Sequence, residues 1–336
     1  MNKSALLISL ALAAIPLKAQ VPTPTPVSIA FPGVPQYDHI VVVIEENKSY
    51  SDIVDANPPY IMNTLFNLGA AMTNSYSLAH PSEPNYFALY AGDTFGITDD
   101  NNYKEHGPSL ATILVANGLT FTGYVESSST NTGVPDGRTL AVRKHNPWES
   151  FPEGTTVEQD FSAFPTNAAG YAQLPKVSFV IPNMNDDMHN GTITQGDTWL
   201  SNHLSDYAQW ALTHNALLIV TWDEDSSSEG GGPTTHPDNR ILTLLYGQYV
   251  SGTTRNNGQI NHYNLLATIL AASGVSQSQW PRYSANVGPI TQVFTGVPTP
   301  TPTPPQRGLR PTKPTRLRIL RETRRTSLLS LKASAR

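Results

Sequence analysis

Two uninterrupted apolar runs constrain this chain more than any other feature. Ile40-Val41-Val42-Val43-Ile44 and Leu217-Leu218-Ile219-Val220 lack the alternation of a strand with one wet face, so each is expected as a strand covered by protein on both sides. Each run stops on carboxylates, with Glu45-Glu46-Asn47 after the first and Thr221-Trp222-Asp223-Glu224-Asp225 after the second. Helical patterns lie between. Tyr60 to Leu68 and Ser109 to Gly118 read as helices, and from Asp197 onward Trp199, Leu200, Leu204, Tyr207, Trp210 and Ala211 recur at three- and four-residue steps on one helix face. Further strands are expected at Leu119 to Val125, Val177 to Ile181 and Ile241 to Tyr246, and a helix at Tyr263 to Ala272. The alternation predicts an α/β fold: a mostly parallel central sheet flanked by helices, with ligands at the strand ends. The Gly-, Asn- and Thr-containing stretch from Asp93 to Asp197 is expected to form loop insertions over that end.

Composition changes sharply at both ends. Residues 1–20 run Asn2-Lys3, an apolar segment from Ala5 to Pro16, then Lys18-Ala19-Gln20, the order of a cleavable secretory signal. Thr/Pro-rich linkers are expected at 21–27 and 297–306, bracketing a folded body at 28–296, and 307–336 reads as a basic, disordered tail. That tail holds ten Lys/Arg against Glu322 alone, whereas residues 21–306 carry 9 basic and 25 acidic residues, a charge of -16. A body so acidic repels polyanions, which argues against nucleic acid as a partner, while the tail could touch an anionic envelope surface. The chain has no cysteine, so no disulfide supports it after export. The expected location is secreted, periplasmic or at the cell surface.

The chemistry is sought where strands stop. Adjacent carboxylates repel one another unless a cation neutralises them, so Glu46 with Asn47 and Asp223 with Glu224 are candidate metal ligands offering hard oxygen donors. Ser82, in His80-Pro81-Ser82-Glu83-Pro84-Asn85-Tyr86, precedes a proline suited to the first turn of a helix. It is open to two readings: a helix cap, or a nucleophile whose alkoxide and phosphate are stabilised by free N–H groups at the helix start. His145, His189 and His262 sit among Asn, Asp and Pro at element boundaries and are candidates for a leaving-group acid, a phosphate donor or a metal ligand. His39, His203 and His214 read as ordinary surface or core residues. No HExxH, P-loop, GxGxxG or GxSxG occurs, which argues against a zinc protease, an NTPase, a dinucleotide enzyme and a lipase-type hydrolase.

Taken in order, Ile-Glu-Glu-Asn-Lys-Ser-Tyr (44 to 50), His-Pro-Ser-Glu-Pro-Asn-Tyr (80 to 86), Lys-His-Asn-Pro (144 to 147), Asp-Met-His (187 to 189), Thr-Trp-Asp-Glu-Asp (221 to 225) and Asn-His-Tyr (261 to 263) form a set. The set resembles the secreted acid phosphatase and phospholipase C phosphoesterase family, within the alkaline-phosphatase-like superfamily. The resemblance implies that Glu46, Asn47, Asp223 and Glu224 hold a divalent cation, with Asp187 as a further candidate ligand, and that Ser82 is a nucleophile touching that cation. Ca, Mg or Mn would suit the oxygen donors and Zn would suit added histidines. It also implies catalytic roles for His145, His189 and His262, and substrate-binding roles for Asn85, Lys144 and Asn146.

Phospholipase members tend to read Glu-Asn-Arg-Ser-Phe-Asp and Thr-x-Pro-Asn-Arg where this chain has Glu-Asn-Lys-Ser-Tyr-Ser and Ser-Glu-Pro-Asn-Tyr, which favours the acid phosphatase branch. The expected activity is hydrolysis of a small phosphate monoester or a phosphoinositide head group through a phosphoserine on Ser82. The alternatives are a phospholipase C-type diesterase and a non-catalytic cell-surface binding protein.

Overall fold

The two apolar runs become adjacent strands. In the computed structural model the described residues are 31–127, 140–228 and 239–296; the expected signal peptide, both linkers and the basic tail lie outside them. In chain order the elements are β1 (His39–Glu45), α1 (Tyr50–Ala56), a π-helical turn (Ile61–Phe66), β2 (Ala70–Tyr76), α2 (Glu83–Ala91), α3 (Leu110–Ala116), β3 (Phe121–Val125), β4 (Glu158–Asp160), α4 (Ala168–Tyr171) and β5 (Val177–Ile181). There follow α5 (Ile193–Ala211), β6 (Ala216–Trp222), β7 (Arg240–Gly247), β8 (Arg255–Asn256), β9 (Ile260–Asn261), α6 (His262–Ala272) and α7 (Arg282–Val287).

The strands form one sheet in the order β4-β3-β5-β1-β6-β7-β2-β8, with β9 beside β2. Among the described strands β7 alone runs against its neighbours, β6 and β2, so the sheet is mostly parallel. β1 and β6 pair in parallel from His39↔Ala216 to Glu45↔Trp222, which brings their acidic ends side by side. Alternate residues of β1 face opposite cores: Ile40, Val42 and Ile44 pack with α2, α3 and α6, while Val41 and Val43 pack with α1 and α5. All five are 0–1 % exposed. Their burial contributes on the order of 10 kcal/mol as an upper bound, enough to fix the strand that delivers Glu46.

The stretch from Asp93 to Asp197 holds the two strands expected within it, β3 and β5, together with a third, β4, which pairs with β3 at the side of the sheet. Its loops are anchored to those strands. At Gly123 in β3 an added Cβ would lie 2.3 Å from the Trp148 ring, so the indole packs directly on the strand backbone and only glycine fits there. That contact seats the 143–150 turns beside the carboxyl end of the sheet. Among the described residues no helix is long and apolar enough to cross a membrane.

Candidate active site

The ends of β1 and β6 are locked by short cross-links. The Asp223 N–H donates to the Glu45 carbonyl at 3.0 Å, the Asn47 N–H donates to Asp223 Oδ1 at 3.0 Å, and Asn47 Nδ2 donates to Glu224 Oε1 at 3.3 Å. Asn47 achieves this with a left-handed backbone, φ 45°, which asparagine tolerates better than most residues. The Ser77 hydroxyl, just past β2, donates to the Asp223 carbonyl and ties in a third strand end.

Ser82 occupies the N-cap position of α2, yet its backbone is helical (φ -58°, ψ -49°) and its side chain makes no capping bond. Instead Oγ lies 3.3 Å from both Glu46 Oε2 and Glu224 Oε1. The helix start differs from expectation in another respect. The Glu83 N–H donates to Asp100 Oδ1 at 2.9 Å, Pro84 has no N–H, and the Asn85 N–H donates to the Ser82 carbonyl at 2.9 Å, so these groups are not available to a phosphate.

Asn85, expected to bind substrate, is turned to the loop that carries Ser82. Its Oδ1 accepts from Leu78 and Ala79 N–H at 3.1 and 3.0 Å, and its Nδ2 donates to the Ala79 carbonyl at 2.8 Å. With both ends of the amide engaged, the side chain shapes residues 78–82 rather than facing a ligand.

Around this centre lie the remaining candidates. His145 is fully buried, its ring stacked on Tyr86 at 5.2 Å, with Nε2 3.3 Å from Glu46 Oε1 and Nδ1 3.7 Å from Asp187 Oδ2. The Asp187 carbonyl accepts from the Glu46 N–H at 2.7 Å, and Asp187 Oδ1 accepts from the His189 N–H at 2.8 Å. Between them Met188 holds φ 76°, a left-handed conformation that its side chain disfavours. The His189 ring is half-buried, 6.3 Å from that of His145.

Lys144 Nζ donates to Asp100 Oδ2 at 2.8 Å, and Asn146 Nδ2 donates to Glu149 Oε1 at 3.3 Å. His262, by contrast, is buried behind the strand end, with Nε2 3.1 Å from the Trp222 carbonyl. His262 is the first residue of α6, so the start of that helix brings its ring to the end of β6. A cavity of about 380 Å³ lies elsewhere, over Phe161, Phe164 and Tyr171, and no member of the Ser82 group lines it.

Three residues of the site's surroundings escape sequence reasoning. The Tyr86 hydroxyl, one helical turn after Ser82, donates to Glu46 Oε1. His80, two residues before Ser82, bonds through Nδ1 to Glu224 Oε2. Arg143 reaches Glu83 with both terminal nitrogens, NH1 to Oε1 at 2.5 Å and NH2 to Oε2 at 3.0 Å, so the turn bearing Lys144 and His145 is clamped to the start of α2. The only signal for the first two was their place in the motif around Ser82; Arg143 gave none.

Glu46, Asp187, Asp223, Glu224 and Asp225 are all 0–1 % exposed, an accumulation of acid that sets the electrostatics. Burial first, then Asp223 and Asp187, holds the Glu46 carboxyl well above its usual range. Burial and then Glu224 push Asp223 up to about 7, and burial likewise raises Asp187 strongly. His145 is driven the other way, well below the usual imidazole range, by burial and then by Lys144. Burial works against Lys144 as well, but its bond to Asp100 and the field of Glu46 leave its pKa raised. His80 is raised, chiefly by its bond to Glu224.

A divalent cation fits this donor set chemically: it would relieve the repulsion, and Asp187 Oδ2 and Asp223 Oδ2 are buried oxygens without a hydrogen-bond partner. Among the described residues no group of three or more His, Asp or Glu side chains is already arranged to hold a metal ion.

The chain is similar to known proteins in both sequence and fold. The model of the phosphoesterase family matches residues 59–276, a span that takes in Ser82, Lys144, His145, Asp187, Asp223, Glu224 and His262 while Glu46 and Asn47 precede it. A phosphatidylinositol-3-phosphatase of Mycobacterium tuberculosis is 41 % identical over 80 % of this chain and 86 % of its own length. An acid phosphatase of Aspergillus fumigatus is 30 % identical over 75 % of this chain, which spans 58 % of that relative's length. Among solved structures, a lipoteichoic acid synthase of Listeria monocytogenes superposes with a TM-score of 0.54 at 11 % identity, over 76 % of this chain and 77 % of that one. A protein of the alkaline phosphatase superfamily from Vibrio parahaemolyticus does so at 0.52 and 12 %, over 76 % and 71 % of the two chains. At such identities the last two speak for the fold alone.

Proposed function

This chain belongs to the phosphoesterase family and is a phosphoric ester hydrolase, and from that premise we propose that it is an exported, metal-dependent phosphomonoesterase with Ser82 as nucleophile. One observation carries the reading: the buried Ser82 hydroxyl lies between Glu46 and Glu224 instead of capping its helix. A serine so placed can pass its proton to a carboxylate as Oγ attacks phosphorus. The P–Oγ bond forms as the bond to the leaving oxygen breaks. His189, the half-buried imidazole, protonates that oxygen. Water then hydrolyses the phosphoserine, releasing inorganic phosphate and restoring Ser82. Lys144 and His145 donate to the phosphate oxygens.

Glu46, Asn47, Ser82, Asp223 and Glu224, with Asp187 beside them, would hold a divalent cation, which supplies positive charge for the Ser82 alkoxide and the phosphate oxygens. The signal-like pattern of residues 1–20 supports export. The expected envelope contact of the basic tail has no support in the comparisons.

The similarity to a phosphatidylinositol-3-phosphatase favours monoesters borne on an inositol ring as substrates alongside small soluble ones. No observation favours the phospholipase C reading. The deciding measurement is kcat/KM on nitrophenyl phosphate, a soluble phosphatidylinositol 3-phosphate and a phosphorylcholine diester. We expect the monoesters to exceed the diester by at least about 100-fold, since Lys144 and the proposed cation suit the two charges of a monoester and a diester carries one. Preference for the diester would overturn the assignment.

A further inference from the structure

The two carboxylates that face Ser82 are held in the same way from opposite sides. Glu46 presents Oε2 to Ser82 Oγ at 3.3 Å, and its other oxygen, Oε1, accepts from the Tyr86 hydroxyl. Glu224 presents Oε1 to Ser82 Oγ at 3.3 Å, and its other oxygen, Oε2, is bonded by His80. Both outer groups are themselves fixed. Tyr86 is fully buried and stacked on His145, while His80 Nε2 lies 3.3 Å from Ser227 Oγ and 3.5 Å from Asp225 Oδ1.

We propose that Tyr86 and His80 are paired positioning residues that confine Glu46 and Glu224 to one inward oxygen each and thereby set which cation the site accepts. The inference rests on the metal-site reading above. A carboxylate with one oxygen tied outward donates through the other alone, the mode suited to small cations such as Mg²⁺ that demand near-octahedral geometry. Ca²⁺ is larger and accepts six to eight oxygens, often with carboxylates chelating through both atoms. The outer bonds therefore disfavour Ca²⁺ by denying it the second oxygen. Groups of this kind that orient ligands commonly matter 10–100-fold in metal affinity.

The test is calorimetric titration of Mg²⁺, Mn²⁺ and Ca²⁺ into the full-length protein freed of metal by chelation. It compares the wild type with Tyr86→Phe, His80→Ala and His80→Gln. Tyr86→Phe keeps the ring and its stack, and the His80 side chain is 27 % exposed, so both sites tolerate change; thermal melts establish that each variant is folded. Tyr86→Phe and His80→Ala are each expected to raise the ratio of Ca²⁺ to Mg²⁺ affinity by about 10-fold or more, and His80→Gln, which keeps a donor, to stay near the wild-type ratio. If affinities for all three ions change by a common factor, or do not change, the pair plays no part in selectivity and the inference is wrong. A wild type that binds none of the three ions defeats the metal-site reading and this inference with it, whereas unchanged ratios in a metal-binding protein defeat this inference alone.

Discussion

The acidic side of the site and its histidine side are built on different principles. Glu46, Asn47, Asp223 and Glu224 lie one or two residues beyond two strands paired in register over their whole length, so the sheet itself sets their positions. Lys144, His145 and His189 come from turns, and what places them is a set of side-chain clamps: Arg143 on Glu83, Lys144 on Asp100, His145 on Tyr86 and the His189 N–H on Asp187. A ladder tolerates the loss of one contact, whereas a turn held by two or three side chains does not. The proposed cation ligands thus sit on the rigid side and Ser82 reaches them from the start of α2, whereas the groups proposed to handle phosphate charge and the leaving oxygen sit on the adjustable one.

The hardest blow to this contrast would come from Ser82→Ala. If the rigid side holds the reaction centre, kcat falls by at least about 10³-fold while the melting temperature stays within a few degrees. A folded variant that keeps most of its turnover would move the chemistry away from the strand ends.

Arg143→Ala probes the clamps. Glu83 is fully buried and Arg143 nearly so; removing the guanidinium leaves an uncompensated charge, a loss of about 4 kcal/mol measured by denaturant titration. Activity is expected to drop with it as the 143–150 turns loosen, while cation affinity remains. Equal loss of cation binding would mean that the two sides are not independent.

The smallest effect concerns His262, which supports the rigid side from behind. Burial holds its pKa down to about 4. Between the ordinary histidine value and about 4 the unfolded chain binds a proton that the folded one does not, so the stability tied to this group is complete above about pH 6.5 and is lost as pH falls. The loss amounts to at most about 3 kcal/mol. His262→Gln is expected to flatten the melting temperature against pH over that window, and an unchanged slope would assign the acid sensitivity to other groups.

Legibility in the sequence followed the same division. The apolar runs and the acids that end them could be read because a strand's exit point is written in consecutive residues, and pairing β1 with β6 follows once both are recognised as buried. Contacts that close at long sequence separation could not be read. Arg143 and Glu83 are 60 positions apart, and His80 meets Glu224 across 144. Ser82 was recognisable as a candidate, but the N–H groups expected to serve it are engaged by Asp100 and by its own carbonyl, which no local pattern signals. Asn85 and His262 lie in the expected neighbourhood, and their partners, the 78–79 backbone and the Trp222 carbonyl, are again contacts that no local pattern signals. Within 93–197 the strands β3 and β5 are legible as short apolar runs, whereas β4, Glu158-Gln159-Asp160, carries no apolar residue that could mark it as a strand.

The Arg143 clamp also bears on how the molecule opens. Residues 143–150 form two short 3₁₀ turns whose hydrogen bonds, Asn146 N–H to the Arg143 carbonyl among them, are local and lack a ladder behind them. Segments of that kind open in small excursions well below the cost of global unfolding. In hydrogen–deuterium exchange the amides of 143–150 would therefore trade early and those of β1 and β6 last. A site divided in this way can admit and release leaving groups of different bulk by the breathing of one wall, with the oxygens around Ser82 undisturbed.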